Sequence, residues 1–216
     1  MFMHTIGDGS KKALLIHGMA SSHHTWDRLF EDLKKRDFTI YAPDLPGHGN
    51  GSHDDVSKYS VERWREMILE RISSVDLLVG HSIGGLLSLQ VRSDLRPQAT
   101  VLADPMLHFP KGVWGKISRE VFSFSQFLNN AELKHNWDKS SAVALLPGKK
   151  VPKPGNDTLI IRTDKSFVAP KSLTKSLSET EIVTLKKSTH NLHLDTYPQF
   201  FESMRDFAIR RGVFSF

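Results

Sequence analysis

Val75-Asp76-Leu77-Leu78-Val79-Gly80-His81-Ser82-Ile83-Gly84-Gly85 runs from an apolar, strand-like segment straight into Gly-x-Ser-x-Gly, and a helix-compatible stretch opens after it at Leu86-Leu87. This is the nucleophile-elbow pattern, a strand and a helix joined by a sharp turn with a serine at its apex. Such a turn holds the serine in a strained backbone conformation, and the glycines two residues before and two after it leave room for neighbouring chain. With Gly and Ser each near ~7% of residues, the three fixed positions arise by chance at roughly 0.07 places in a chain of this length. Ser82 is therefore the candidate nucleophile, and the surrounding sequence decides its weight.

Outward from the elbow, short apolar segments alternate with stretches of helical periodicity. Ala13–Ile16, Phe38–Tyr41, Leu77–Val79, Thr100–Ala103, Thr158–Ile161 and Glu181–Leu185 read as strands. Trp26, Leu29, Phe30 and Leu33 mark one helical stripe, and Val61, Trp64, Ile68 and Ile72 a second. Phe200, Phe201, Met204, Phe207 and Ala208 mark a third, after Pro198. Strand and helix in alternation predict an α/β fold with a mostly parallel sheet of six to seven strands, flanked by helices. Side chains that act on ligands then gather at the carboxyl ends of the strands.

The 216 residues, 39% of them hydrophobic, suit one domain spanning 1–216. No basic segment followed by an apolar stretch opens the chain, and no apolar run nears the ~18 residues of a membrane span. A soluble, cytoplasmic protein without membrane association is expected. The absence of cysteine excludes disulfides, thiolate metal ligands and a cysteine nucleophile. The net charge of +5 is concentrated between Pro105 and Asp157, which hold eight Lys and Arg against four Asp and Glu. Without a basic stripe interleaved with aromatics, nucleic-acid binding is not expected.

In that same 105–157 segment the sheet pattern lapses. Phe109, Trp114, Phe122, Phe124, Phe127 and Trp137 stand among polar residues, as expected of a small helical cap inserted after the strand ending at Asp104. A cap encloses a pocket, and its aromatics supply both its own packing and an apolar lining.

The chain resembles the α/β-hydrolase family over nearly its whole length. Four signatures carry the likeness: Leu14-Leu15-Ile16-His17-Gly18-Met19, Asp44-Leu45-Pro46-Gly47-His48-Gly49, the elbow Gly80–Gly84, and Thr189-His190-Asn191-Leu192-His193 leading into the last helix. A serine hydroxyl needs an imidazole to take its proton and later deliver it to the leaving group, and the resemblance implies His190 in that role. His193 is an alternative base that suits packing or capping better. For the oxyanion, the resemblance implies the backbone N–H groups of Met19 and Ile83, while His17, Asp44 and His48 suit structural roles.

The third member departs from the family pattern. Relatives read Gly-x-x-Asp after the penultimate strand, whereas this chain has Thr163-Asp164-Lys165-Ser166, with serine where the acid belongs. Asp164, two positions early, and Asp104, at the end of the preceding strand, are both candidates. The expected activity is that of a serine hydrolase cleaving a small carboxylic ester, lactone or thioester through an acyl-enzyme. No organic cofactor and no metal is implied. The alternative is a small-molecule binding or signalling protein on the same fold, for which the altered acid position speaks.

Overall fold

Along Lys11–Ile16 (β2), Ala13 and Leu15 enter one apolar cluster and Leu14 and Ile16 another, and all four are fully buried. Side chains alternate across a strand, so an apolar residue at every position requires helices on both faces of the sheet. The computed structural model describes residues 1–53, 55–107, 137–138, 140–141 and 151–215. Most of the cap expected at 105–157, with Phe109, Trp114, Phe122, Phe124 and Phe127, lies outside the described residues.

Among the described residues the sheet has seven strands. With β2 they are Phe2–Ile6 (β1), Phe38–Asp44 (β3), Leu77–His81 (β4), Ala99–Ala103 (β5), Thr158–Thr163 (β6) and Glu181–Leu185 (β7). Their order is β1-β3-β2-β4-β5-β6-β7, with β1 antiparallel to β3 and every other pairing parallel. The six strands expected from sequence are all present. The seventh, β1, carries no clean alternation, because it is a partly exposed edge strand held by its pairing with β3, from Phe2 opposite Asp44 to Ile6 opposite Ile40.

The helices are Asp27–Lys34 (α1), Val61–Leu69 (α2), Ile83–Leu95 (α3), Lys171–Thr174 (α4), Leu192–Asp195 (α5) and Tyr197–Arg210 (α6). Leu29 and Leu33 of α1 join Phe200, Met204 and Phe207 of α6 against one face; Val61, Trp64 and Ile68 of α2 join Leu86, Leu87 and Val91 of α3 against the other. Each such side chain contributes about 1.5–3 kcal/mol on burial, so the two helical layers hold the strand ends in fixed relative positions. Local signals set the helix starts: Ser60 Oγ accepts from Arg63 N at the head of α2, and Pro198 lies in the first turn of α6. Among the described residues, no helix is long and apolar enough to cross a membrane.

Candidate active site

Ser82 stands between β4 and α3 with φ 53° and ψ −117°, a region that non-glycine residues rarely occupy. Its surroundings over-determine that conformation. Ser82 N donates to Ala103 O at 3.1 Å, and Ser82 O accepts from Gly85 N at 3.0 Å and Met106 N at 2.9 Å. The flanking glycines are sterically required: a Cβ on Gly80 would lie 2.3 Å from Ser88 Oγ, and one on Gly84 2.3 Å from Ile16 O. The elbow thus presses the start of α3 directly onto the end of β2.

In the parallel register of β4 and β5, His81 lies opposite Ala103, so the next residue on each strand, Ser82 and Asp104, emerges side by side. Asp104 adopts φ 40°, a left-handed conformation that Asp tolerates, and is fully buried. His190 comes from the connection between β7 and α5. Ser82 Oγ–H donates to His190 Nε2 at 2.9 Å, and His190 Nδ1–H donates to Asp104 Oδ2 at 2.7 Å. The carboxylate can only accept, so it fixes the imidazole proton on Nδ1 and leaves the Nε2 lone pair facing the serine. Thr163 N lies 3.4 Å from the other oxygen, Asp104 Oδ1.

Asp164 is not brought to His190. It is exposed on the turn after β6, where its backbone N donates to Leu185 O and its carboxylate lies 3.3 Å from the Thr163 hydroxyl. The end of the strand is the reason: β6 stops at the buried Thr163, and Asp164 is the first residue of the exposed turn that follows. Ser166, at the position of the family acid, accepts from Ala169 N at 2.8 Å and so caps a turn. Thr163, where relatives have glycine, donates to Ser188 O at 2.7 Å and anchors the segment that leads to His190.

Met19 and Ile83 flank the serine. The chain at Gly18 runs so close that a Cβ there would lie 3.3 Å from Ser82 Cβ and 2.6 Å from His81 Nδ1. Ile83 is the first residue of α3, where backbone N–H groups lack intrahelical acceptors. The Met19 side chain is buried, with its sulfur 3.2 Å from His48 Nε2 and 3.7 Å from the Ser141 hydroxyl. His17 accepts from Leu45 N on Nε2 and bonds Gly18 O through Nδ1, tying the β2 and β3 strand ends together. Burial, then the neighbouring His17, pushes the His48 imidazole down to about 3.

Two further buried histidines back the site. His81 Nε2–H donates to the His190 carbonyl at 2.9 Å, and the His81 ring packs against both His190 and His193, with centroids 4.8 and 4.2 Å away. The His193 ring meets the Thr25 hydroxyl at 2.7 Å and packs near Trp26, away from the serine. Burial, followed by the charge on His190, lowers His193 to about 3; burial and then His193 hold His81 well below its ordinary range. Both rings are neutral, so neither adds a second positive charge beside His190. The role of His81 is not legible in the sequence beyond its place inside the elbow.

The sequence profile of the Alpha/beta hydrolase family matches residues 13–203, and the chain belongs to that family. It is 30% identical over 132 residues to the pimeloyl-(acyl-carrier protein) methyl ester esterase of Klebsiella pneumoniae subsp. pneumoniae, an alignment covering 58% of this chain and 49% of that protein. A carboxylesterase structure from the thaumarchaeon Nitrososphaera gargenis superposes with a TM-score of 0.75 at 18% identity, covering 98% of this chain and 94% of the other. An esterase from Exiguobacterium antarcticum gives 0.75 at 15% identity, covering 96% and 95%. At such identities the structural likeness is one of fold. The chain spans about half the length of the curated relatives it matches.

Proposed function

We propose that the protein is a serine hydrolase of small carboxylic esters, with lactones and thioesters as the nearest alternative substrates. The observation that carries this reading is the unbroken chain Ser82 Oγ, His190 Nε2, His190 Nδ1, Asp104 Oδ2, at 2.9 and 2.7 Å. In the proposed mechanism His190 Nε2 takes the Ser82 proton as Oγ attacks the acyl carbon. Asp104 orients the ring and stabilises the imidazolium. The backbone N–H groups of Met19 and Ile83 receive the oxyanion. His190 then protonates the leaving alkoxide, and water activated by the same nitrogen resolves the acyl-enzyme. Serine rather than aspartate at the elbow speaks against the alkyl-enzyme chemistry of haloalkane dehalogenases and epoxide hydrolases.

We take 105–157 as a cap over this site. Its described part supports that placement: Asp138 N donates to Gly47 O at 2.9 Å, Trp137 bridges to His48, and Ser141 touches Met19. The binding-protein alternative draws its support from the altered acid position; the hydrogen bond from His190 Nδ1 to Asp104 Oδ2 supports the hydrolase reading instead.

Reaction with a fluorophosphonate, read by intact mass, tests the proposal without knowledge of the substrate. The expected result is one adduct on the wild-type protein and none on Ser82→Ala or His190→Ala. A folded wild-type protein that takes no adduct would overturn the proposal.

A further inference from the structure

At the β1–β3 edge of the sheet lies a second cluster that the proposed hydrolysis does not use. His4 from β1, His23 from the short 3₁₀ turn His23–Trp26 and Asp44 from the end of β3 each present one donor atom, all within 4.8 Å of one another. His23 Nδ1 and His4 Nε2 lie 3.1 and 3.3 Å from the same oxygen, Asp44 Oδ2. The two imidazoles stack with centroids 3.3 Å apart and planes 19° from parallel, both beside the same carboxylate, so the more exposed His4 ring must turn for one ion to lie in the plane of both. Around a tetrahedral ion with bonds of about 2.0–2.1 Å, neighbouring donor atoms are separated by about 3.3–3.4 Å. Both separations are close to that spacing.

We propose that His4, His23 and Asp44 form a structural site for a divalent ion of the zinc class, with water as the fourth ligand on the side where His4 reaches solvent. Two imidazoles with one carboxylate suit zinc-class ions, whereas magnesium and calcium prefer all-oxygen sets.

The carboxylate is built to remain in place. Asp44 is fully buried, its Oδ1 accepts from His23 N at 2.7 Å, and its Oδ2 accepts from Asn50 N at 2.9 Å. Those bonds take one acceptor position on each oxygen and leave one on each toward the rings. Gly49, at φ +48°, closes over it so tightly that a Cβ there would lie 2.6 Å from Asp44 Cγ. On ligation each ring carries its proton on the nitrogen away from the ion. Such an ion would clamp β1 and β3 to the segment that follows Met19.

The test uses untagged protein stripped with a chelator, and reads zinc binding by competition with a chromophoric chelator and cobalt binding by its visible absorption. One ion per chain is expected, with the cobalt spectrum of a four-coordinate nitrogen and oxygen site. Loss of an outer hydrogen-bond partner alone weakens metal sites by 10–100-fold, so His4→Gln and His23→Gln should each weaken zinc binding by at least ~100-fold. His4→Gln lies on a partly exposed edge strand, retains a donor to Asp44 and should keep the wild-type circular dichroism spectrum. His53→Gln, whose ring bonds the Gly49 carbonyl instead, should bind as wild type does. Absence of stoichiometric binding, binding unchanged in His4→Gln, or equal loss in His53→Gln would each overturn the site. Because the readout is metal occupancy, the outcome is independent of ester hydrolysis.

Discussion

Replacing Asp104 with asparagine changes the charge at the foot of the site and little else. Asparagine has the same shape and, like aspartate, tolerates the left-handed backbone that this residue adopts at φ 40°. Its orientation is set by what faces it. Thr163 N lies 3.4 Å from Oδ1 and needs an acceptor, so the amide oxygen takes that side and the amide nitrogen takes the Oδ2 position, 2.7 Å from His190 Nδ1. An N–H facing Nδ1 forces the imidazole proton onto Nε2, the atom 2.9 Å from Ser82 Oγ. That nitrogen can then no longer accept the serine proton. With Asp104 fully buried, solvent does not compensate. A wrong tautomer of this kind costs about 10⁴ in kcat, about 5.4 kcal/mol at 1.36 kcal/mol per decade. Initial rates on p-nitrophenyl butyrate, with circular dichroism to confirm folding, measure it. Asp164→Asn, on the exposed turn, should stay within about twofold of wild type. Retention of more than about a tenth of kcat by Asp104→Asn, or a comparable loss in Asp164→Asn, would refute the reasoning.

Ser82→Gly should stabilise the fold while abolishing probe labelling, since φ 53° with ψ −117° is a glycine-type conformation. Strain relief of about 1–3 kcal/mol, less the entropy cost of glycine, leaves about 1 kcal/mol, or about 2–4 °C in a calorimetric Tm; a lower Tm would count against stored strain at the elbow. The depressed His193 makes stability pH-dependent. From about pH 6.5 down to about 3 the unfolded chain binds a proton that the native ring refuses, so stability is full near neutrality and falls on acidification. Each such histidine contributes about 1.4 kcal/mol per pH unit in that window. His193→Gln, compared by urea unfolding between pH 6.5 and 5, should reduce the slope by about one proton, and an unchanged slope would exclude His193 as the titrating group.

The strands and helices nearest the site were legible because each carries its own periodicity. On β2 and β4 the runs Ala13–Ile16 and Leu77–Val79 are apolar without a break, which only a strand covered on both faces tolerates, and α1, α2 and α6 show their stripes without reference to any neighbour. Edge strand β1 was not legible, because its order comes from β3 rather than from a pattern of its own. The role of His81 was hidden for a related reason: its partner is the backbone carbonyl of His190, more than a hundred residues away. The candidate metal ligands at 4, 23 and 44 follow no spacing rule, since β1 and the 3₁₀ turn meet Asp44 only once the sheet has formed.

Ser82 and His190 were legible as candidates in the sequence itself. The elbow is a local object, a strand, a forced turn and a helix whose glycines are required by contacts within a few residues or with the adjacent strand, and His190 lies in a terminal segment that resembles its counterpart in the family. Which carboxylate reaches His190 was decided by tertiary structure alone. Asp104 and Asp164 both follow strands and are chemically identical; the parallel register that sets His81 opposite Ala103 delivers Asp104 beside Ser82, while β6 ends at the buried Thr163 and leaves Asp164 on the exposed turn beyond it. A carboxylate acts on an imidazole over less than about 3 Å, and a distance that short is fixed by the packing of strands far apart in the chain.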